Sequence, residues 1–239
     1  MKITILTMFP EMLESLRNSP ILQHASKKGT AELEIVDIRD YAEGSFRHLD
    51  DSPYGGGAGM IMRAAPLWNA LQAVKGDNSY TVIPTPCGEV YNEKKSRELS
   101  LKEHLIFVCG HYEGIDERVY SLCDEIISMG DYIMSGGEYA VMNIVDSIVR
   151  LLPGVIKKES TEDESFENDL LEYPQYTRPV TFEGMEVPEV LRSGNHEAIR
   201  KFRLEQSLLN TYRYRKDLFE KHEFTEEEKK ILEDLGINR

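Results

Sequence analysis

Leu105-Ile106-Phe107-Val108-Cys109-Gly110-His111-Tyr112-Glu113-Gly114 decides how this chain folds. Its apolar half is far too short for a membrane span, which needs about 20 residues, and it lacks the polar alternation of a half-exposed strand. An unbroken apolar run of this length suits a strand buried on both faces, as in a parallel sheet covered by helices. Two other segments repeat the arrangement. Tyr80–Ile83 runs into Pro84-Thr85-Pro86-Cys87-Gly88, and Glu125–Ser128 runs into Met129-Gly130-Asp131-Tyr132-Ile133-Met134-Ser135-Gly136-Gly137-Glu138. In a parallel sheet these three loops gather at the carboxyl edge, where open α/β folds bind ligands. Glycines let the backbone approach a ligand and expose its N–H and C=O groups, which suits a purine-containing cofactor.

The flanking segments extend the pattern. Lys2–Thr7 and Leu33–Ile38 read as strands bracketing a helix with apolar positions Met12, Leu13, Leu16, Leu22 and Ala25. Pro66 opens a helix carrying Leu67, Ala70, Leu71 and Val74, and Asn92–Leu99, Asp116–Leu122 and Tyr139–Leu152 read as further helices. The expected fold is α/β with a mostly parallel sheet, over residues 1–158. Residues 159–172 hold seven acids and no base, which reads as a flexible acidic linker. Residues 173–239 are expected to form a small helical domain, extended through Pro174, Pro179 and Pro188 and helical from about His196. Thr225 with Glu228 is a capping-box start for its last helix.

Composition narrows the function. The chain has 239 residues, 41% of them hydrophobic, enough for a real core. The N-terminus lacks signal-peptide anatomy, so a cytoplasmic protein with no membrane partner is expected. Cys87, Cys109 and Cys123 form no CxxC pair and read as reduced thiols. The six histidines share no ligand spacing, so no metal site is expected. No phosphate loop, dinucleotide fingerprint or nucleophile elbow is present. The net charge of −14 argues against a nucleic-acid partner until its distribution is considered. Arg192 through Lys216 carries seven bases against two acids, a basic face that singles out Arg200 and Arg203 as phosphate contacts.

Over nearly its whole length the chain resembles the bacterial tRNA (guanine-N1)-methyltransferases of the knotted SPOUT superfamily. The resemblance rests on Leu6-Thr7-Met8-Phe9-Pro10-Glu11-Met12, on Asp50–Met60 with its Gly55-Gly56-Gly57-Ala58-Gly59 run, on Cys109–Arg118, and on Gly130–Glu138. It continues through Leu152-Pro153-Gly154-Val155, Leu170–Pro179 and Leu191-Arg192-Ser193-Gly194-Asn195-His196. It implies a deep trefoil knot, a homodimer with its active site at the interface, and S-adenosylmethionine as methyl donor. The implied acceptor is N1 of guanine 37 in tRNA, and the resemblance leaves open magnesium bound with that tRNA. The donor would be lined by Thr85, Pro86, Gly110, Tyr112 and Glu113. Met129, Gly130, Asp131, Tyr132, Ile133 and Met134, with Gly136 and Gly137, would complete its site. Asp50, Tyr54, Ser193, Asn195 and His196 would meet the tRNA.

Guanine N1 carries a proton and becomes nucleophilic only when a base removes it. Charge then moves to O6, where a guanidinium stabilises it. Arg150 matches the family's arginine for that role, and Glu113 supports the cofactor loop and guanine pocket. The family has Asp immediately before Ser-Phe. Here Glu164 precedes Ser165-Phe166, Asp163 stands one position earlier, and the stretch from Pro153 is one residue shorter. The longer glutamate offsets the shorter linker, which favours Glu164 over Asp163 as base, with Asp169 third. Cys87 stands where the family usually has glutamine, a change that backbone contacts tolerate. Two other readings are a knotted methyltransferase acting on another RNA, and an RNA-binding dimer with impaired catalysis.

Overall fold

Leu105 through Cys109 are fully buried, as a strand covered on both faces requires. A computed structural model of the chain describes residues 1–157, 164–166 and 168–237. It falls into two compact units, Met1–Ile156 and Lys157–Arg239.

The first unit is built on β1 (Lys2–Thr7), β2 (Glu32–Asp37), β5 (Ser79–Val90), β6 (His104–Val108) and β7 (Glu125–Ser128). They form one sheet of order β2-β1-β6-β5-β7 with every pairing parallel. β3 (Asp50–Asp51) and β4 (Ile61–Met62) make a separate short antiparallel pair around the glycine-rich run. Alternate residues of the strands feed two cores. Ile3, Ile5, Leu105 and Phe107 pack with α2 (Pro20–Lys27) and α5 (Glu138–Val149). Leu6, Ile106 and Val108 pack with α3 (Ala64–Val74). The short α1 (Glu14–Arg17) precedes α2, and α4 (Glu93–Ser100) starts at Asn92, whose side chain accepts from the Lys95 N–H at 3.0 Å.

Three local expectations change. The strand expected to end at Ile83 continues to Val90, with its register against β7 shifting between Pro84 and Glu89. Pro84 and Pro86 have no N–H to give a ladder, so the chain bulges there and regains pairing beyond them. Asp116–Leu122 is a tight 3-10 helix over Glu117–Leu122, with Asp116 capping the Arg118 N–H at 3.0 Å. The helix carrying Pro66 begins earlier, at Ala64, leaving the proline in the first turn where it costs no hydrogen bond.

The second unit contains a hairpin, β8 (Thr181–Phe182) with β9 (Met185–Glu186), then α6 (His196–Tyr214), α7 (Lys216–Lys221) and α8 (Glu226–Asp234). The expected capping box of Thr225 and Glu228 is formed in full. Leu170, Leu208, Phe219, Ile231 and Leu232 make a small core.

The expected linker is corrected where it is described. Leu170 is a core residue, and the Leu171 N–H donates to Thr211 Oγ1 at 2.8 Å. Phe166 N–H donates to the Leu170 carbonyl at 2.8 Å, and Glu172 N–H to Ser165 Oγ at 2.9 Å. Two leucines among acids suffice to dock this segment on α6. Residues 158–163, including the candidate base Asp163, and residue 167 lie outside the described residues. No described helix is long and apolar enough to cross a membrane.

Candidate active site

The carboxyl ends of β5, β6 and β7 open into one cleft of about 350 Å³. Thr85 and Pro86 line it from the bulge of β5, and Gly110, Tyr112 and Glu113 from the loop after β6. Met129, Gly130, Tyr132, Ile133, Met134 and Gly136 line it from the loop after β7. Glycines, prolines and apolar residues make up most of these walls, with His111, Tyr112, Glu113, Tyr120 and Tyr132 among them.

Close backbone packing explains the glycines. Gly137 N–H donates to the Gly110 carbonyl at 2.9 Å, and a Cβ on Gly137 would lie 2.8 Å from Cys109 Cα. A Cβ on Gly88 would lie 2.5 Å from the Ile127 nitrogen. Under the cleft floor the buried Glu138 carboxylate accepts from Thr7 Oγ1 at 2.6 Å and meets His111 Nε2 at 2.7 Å. Thr7 Oγ1 in turn accepts the Phe9 N–H at 2.9 Å.

The β3–β4 pair joins this wall. Glu113 N–H donates to the Met60 carbonyl at 3.0 Å and Met62 N–H to the Gly114 carbonyl at 2.9 Å. A Cβ on Gly59 would fall 2.4 Å from Glu113 Cγ, so the glycine run lies directly on that side chain. Burial raises the Tyr112 hydroxyl above its ordinary pKa, and a hydrogen bond and the charge of Asp50 add to it. Tyr120 is likewise raised by burial, against a hydrogen bond with Thr85.

The family model described as tRNA (guanine-1)-methyltransferase TrmD matches residues 1–221. The chain belongs to this family. It is 54% identical over 234 residues to a tRNA (guanine-N(1)-)-methyltransferase of Carboxydothermus hydrogenoformans, covering 97% of this chain and 92% of that one. A protein of the same name from Clostridium botulinum is 52% identical, with 99% of each chain covered. One from Streptococcus pyogenes is 49% identical, with 98% of each covered.

Against that family frame, the other singled-out residues scatter. Asp131 is exposed and lies off the cleft lining, while Gly137 is buried behind it. Arg150 caps the C-terminal end of α5, half-buried and away from the lining. Asp50 sits in β3 and Tyr54 is fully exposed beside the glycine run.

In the second unit a cavity of about 720 Å³ is lined by Glu164, Asp169, Tyr173, His196, Arg200 and Arg203, among others. It is larger than the cleft, and its walls mix charged side chains with apolar ones such as Leu170, Ile199 and Leu204. Arg200 is held by Glu227 at 2.6 Å and Glu197 at 3.0 Å, which raise its pKa further. Arg203 lies over the Tyr173 ring at 4.6 Å, and its buried Nε has no hydrogen-bond partner among the described residues. Ser193 and Asn195 spend their side chains locally. Ser193 Oγ donates to the Val190 carbonyl at 2.8 Å, and Asn195 Oδ1 caps α6 by accepting from Ala198 N–H at 3.2 Å. Among the described residues no group of three His, Cys, Asp or Glu side chains could hold a metal ion.

His111, Glu138 and Thr7 were not singled out in the sequence. His111 sits inside a quoted motif, but its partner Glu138 is 27 residues away, a separation that carries no periodic signal.

Proposed function

We propose that this chain methylates N1 of guanine 37 in tRNA, with S-adenosylmethionine as donor and as a homodimer whose active site lies at the interface. The observation that carries the reading is the glycine-lined cleft at the carboxyl edge of the sheet, in a chain of the tRNA (guanine-1)-methyltransferase family. The strand edge is then drawn into the trefoil knot that the resemblance implies.

The cleft fits the donor. Its volume, about 350 Å³, lies within the roughly 300–1,000 Å³ of small-molecule sites. Peptide groups around Thr85, Gly110 and Met129 to Met134 suit the hydrogen-bonding edge of adenine, and Ile133, Met129 and Pro86 suit its faces. Gly136 lines the wall and Gly137 lets it pack from behind, whereas Asp131 stays outside direct contact. Bound there, the donor supplies a sulfonium methyl group open to displacement by a nucleophile.

The chain's own residues prepare that nucleophile. Glu164 of the partner subunit takes the proton from guanine N1, and Arg150 stabilises the charge that moves to O6. Glu113, pressed by Gly59 and bonded through its N–H to Met60, fixes the loop between donor and guanine. The α6 face holds the anticodon arm, with Arg203 a better phosphate contact than Arg200, which two glutamates already neutralise. Magnesium accompanies the tRNA rather than a protein site of its own.

The test is mass spectrometry of nucleosides from unfractionated RNA treated with the protein, with and without donor. N1-methylguanosine confined to tRNA is the expected product. Methylation confined to ribosomal RNA would replace this reading with the other knotted enzyme.

A further inference from the structure

Glu138 has no part in the proton and methyl transfers above, yet it is a fully buried carboxylate directly beneath the cleft. Burying such a group is costly unless hydrogen bonds and charge compensate it. Here the compensation comes from three sides. Thr7 Oγ1 donates at 2.6 Å, His111 Nε2 lies at 2.7 Å, and the carboxylate occupies the first turn of α5, the positive end of the helix dipole. A carboxylate only accepts, so it sets the His111 proton on Nε2.

Each partner belongs to a different segment of the site. Thr7 ends β1 and secures the Phe9 N–H, and the Phe9 ring meets the edge of His111 with centroids 4.9 Å apart. His111 itself lines the cleft, between Gly110 and Tyr112. Glu138 closes the loop that carries Met129 to Gly136. The packing leaves no slack, because a Cβ on Gly136 would fall 2.2 Å from His111 Cε1 and 2.7 Å from Glu138 Oε2. The loops after β6 and β7 therefore meet through this polar clamp and through an antiparallel bridge between His111 and Gly136, with the Gly137 N–H donating to the Gly110 carbonyl.

We propose that Glu138 is a positioning residue for the methyl donor: by clamping His111 and Thr7 it sets the spacing between the loops after β6 and β7, two of the three segments that form the donor's walls. The inference rests on the reading of the cleft as the donor site. Glu138 acts through His111 and touches no reacting atom.

The experiment is calorimetric titration of S-adenosylmethionine into the full-length protein, its Glu138→Gln and His111→Ala variants and the double variant, with melting temperature and tRNA affinity measured alongside. Loss of a charge-assisted hydrogen bond should weaken the donor about tenfold in each single variant. Because both changes break one clamp, the double variant should also lose about tenfold, not the product of the two. The KM for donor should rise in step, with kcat at saturating donor and tRNA affinity close to wild type. If Glu138→Gln does not fold, Thr7→Val should weaken the donor about threefold, and Thr7→Ser, which keeps the hydroxyl, should restore it. Wild-type donor affinity in a folded Glu138→Gln protein would overturn the proposal, as would equal affinities of the Thr7 variants or a variant changed only in melting temperature. A wild-type protein that takes up no donor would overturn the cleft reading itself, and the inference with it.

Discussion

Two cavities, one in each unit, are walled differently. In the sheet unit the cleft is made of strand ends and glycines, and a single added Cβ at Gly88, Gly136 or Gly137 would strike backbone or the His111–Glu138 clamp. In the helical unit the cavity mixes long charged side chains, some already paired with neighbours, with apolar residues such as Leu170, Ile199 and Leu204. The first geometry fixes a small molecule by shape and peptide groups. On the function proposed above, the second presents charges that rearrange over a flexible polyanion. Substitutions should therefore act sharply on donor binding in the first unit and gradually on tRNA binding in the second.

A series of substitutions sharpens or breaks that contrast. The largest effect is expected for Leu208→Ala, which hollows a core of few residues and should cost about 2–5 kcal/mol. Chemical denaturation should show the helical unit melting early, with tRNA affinity lost and calorimetric donor uptake kept. Simultaneous loss of donor uptake would mean that the two units do not act separately.

Next comes the base. Glu164→Gln should slow single-turnover methylation about 100-fold with tRNA affinity nearly intact. Asp163→Asn should stay close to wild type. The opposite pattern would move the base one position and undo the argument that a longer side chain offsets a shorter linker.

Gly137→Ala places its Cβ 2.8 Å from Cys109 Cα and 2.9 Å from the Gly110 nitrogen. Overpacking of this kind costs about 1–3 kcal/mol. Donor affinity should fall by at least about tenfold while tRNA affinity in the absence of donor holds. Unchanged donor affinity would show that the wall yields, and the contrast between the cavities would fail.

The smallest effects concern charge and the exposed thiol. Arg203→Ala should reduce the slope of log affinity against log salt by about one contact, and Arg200→Ala by less, since its guanidinium already serves Glu197 and Glu227. Equal slopes for both would show that these ion pairs open on binding. Cys87→Ser should leave donor affinity within about twofold, as expected for an exposed side chain remote from a core.

The sequence made the sheet legible because continuous apolar runs such as Leu105–Cys109 have few other uses in a chain of this composition. The loops after β6 and β7 were legible for the same reason, since their place follows from parallel strands. What stayed hidden depends on contacts between distant residues. Nothing local marks Glu138 as the partner of Thr7 and His111, or Leu170 as a core residue inside an acidic stretch. The bulge of β5 escaped because Pro84 and Pro86 read as the end of a strand, whereas pairing resumes beyond them. The roles expected of Ser193 and Asn195 met a different competitor. Both side chains are committed to turn and cap hydrogen bonds, a use that residue type permits equally well.

The most direct test pairs two tRNA transcripts that differ only at position 37, guanine in one and adenine in the other, incubated with the protein and methyl-labelled S-adenosylmethionine. The account predicts one labelled methyl per guanine-37 transcript, located at N1 by mass spectrometry, and no label on the adenine-37 transcript. Equal labelling of both transcripts, or a methyl group found on any other base, would contradict it.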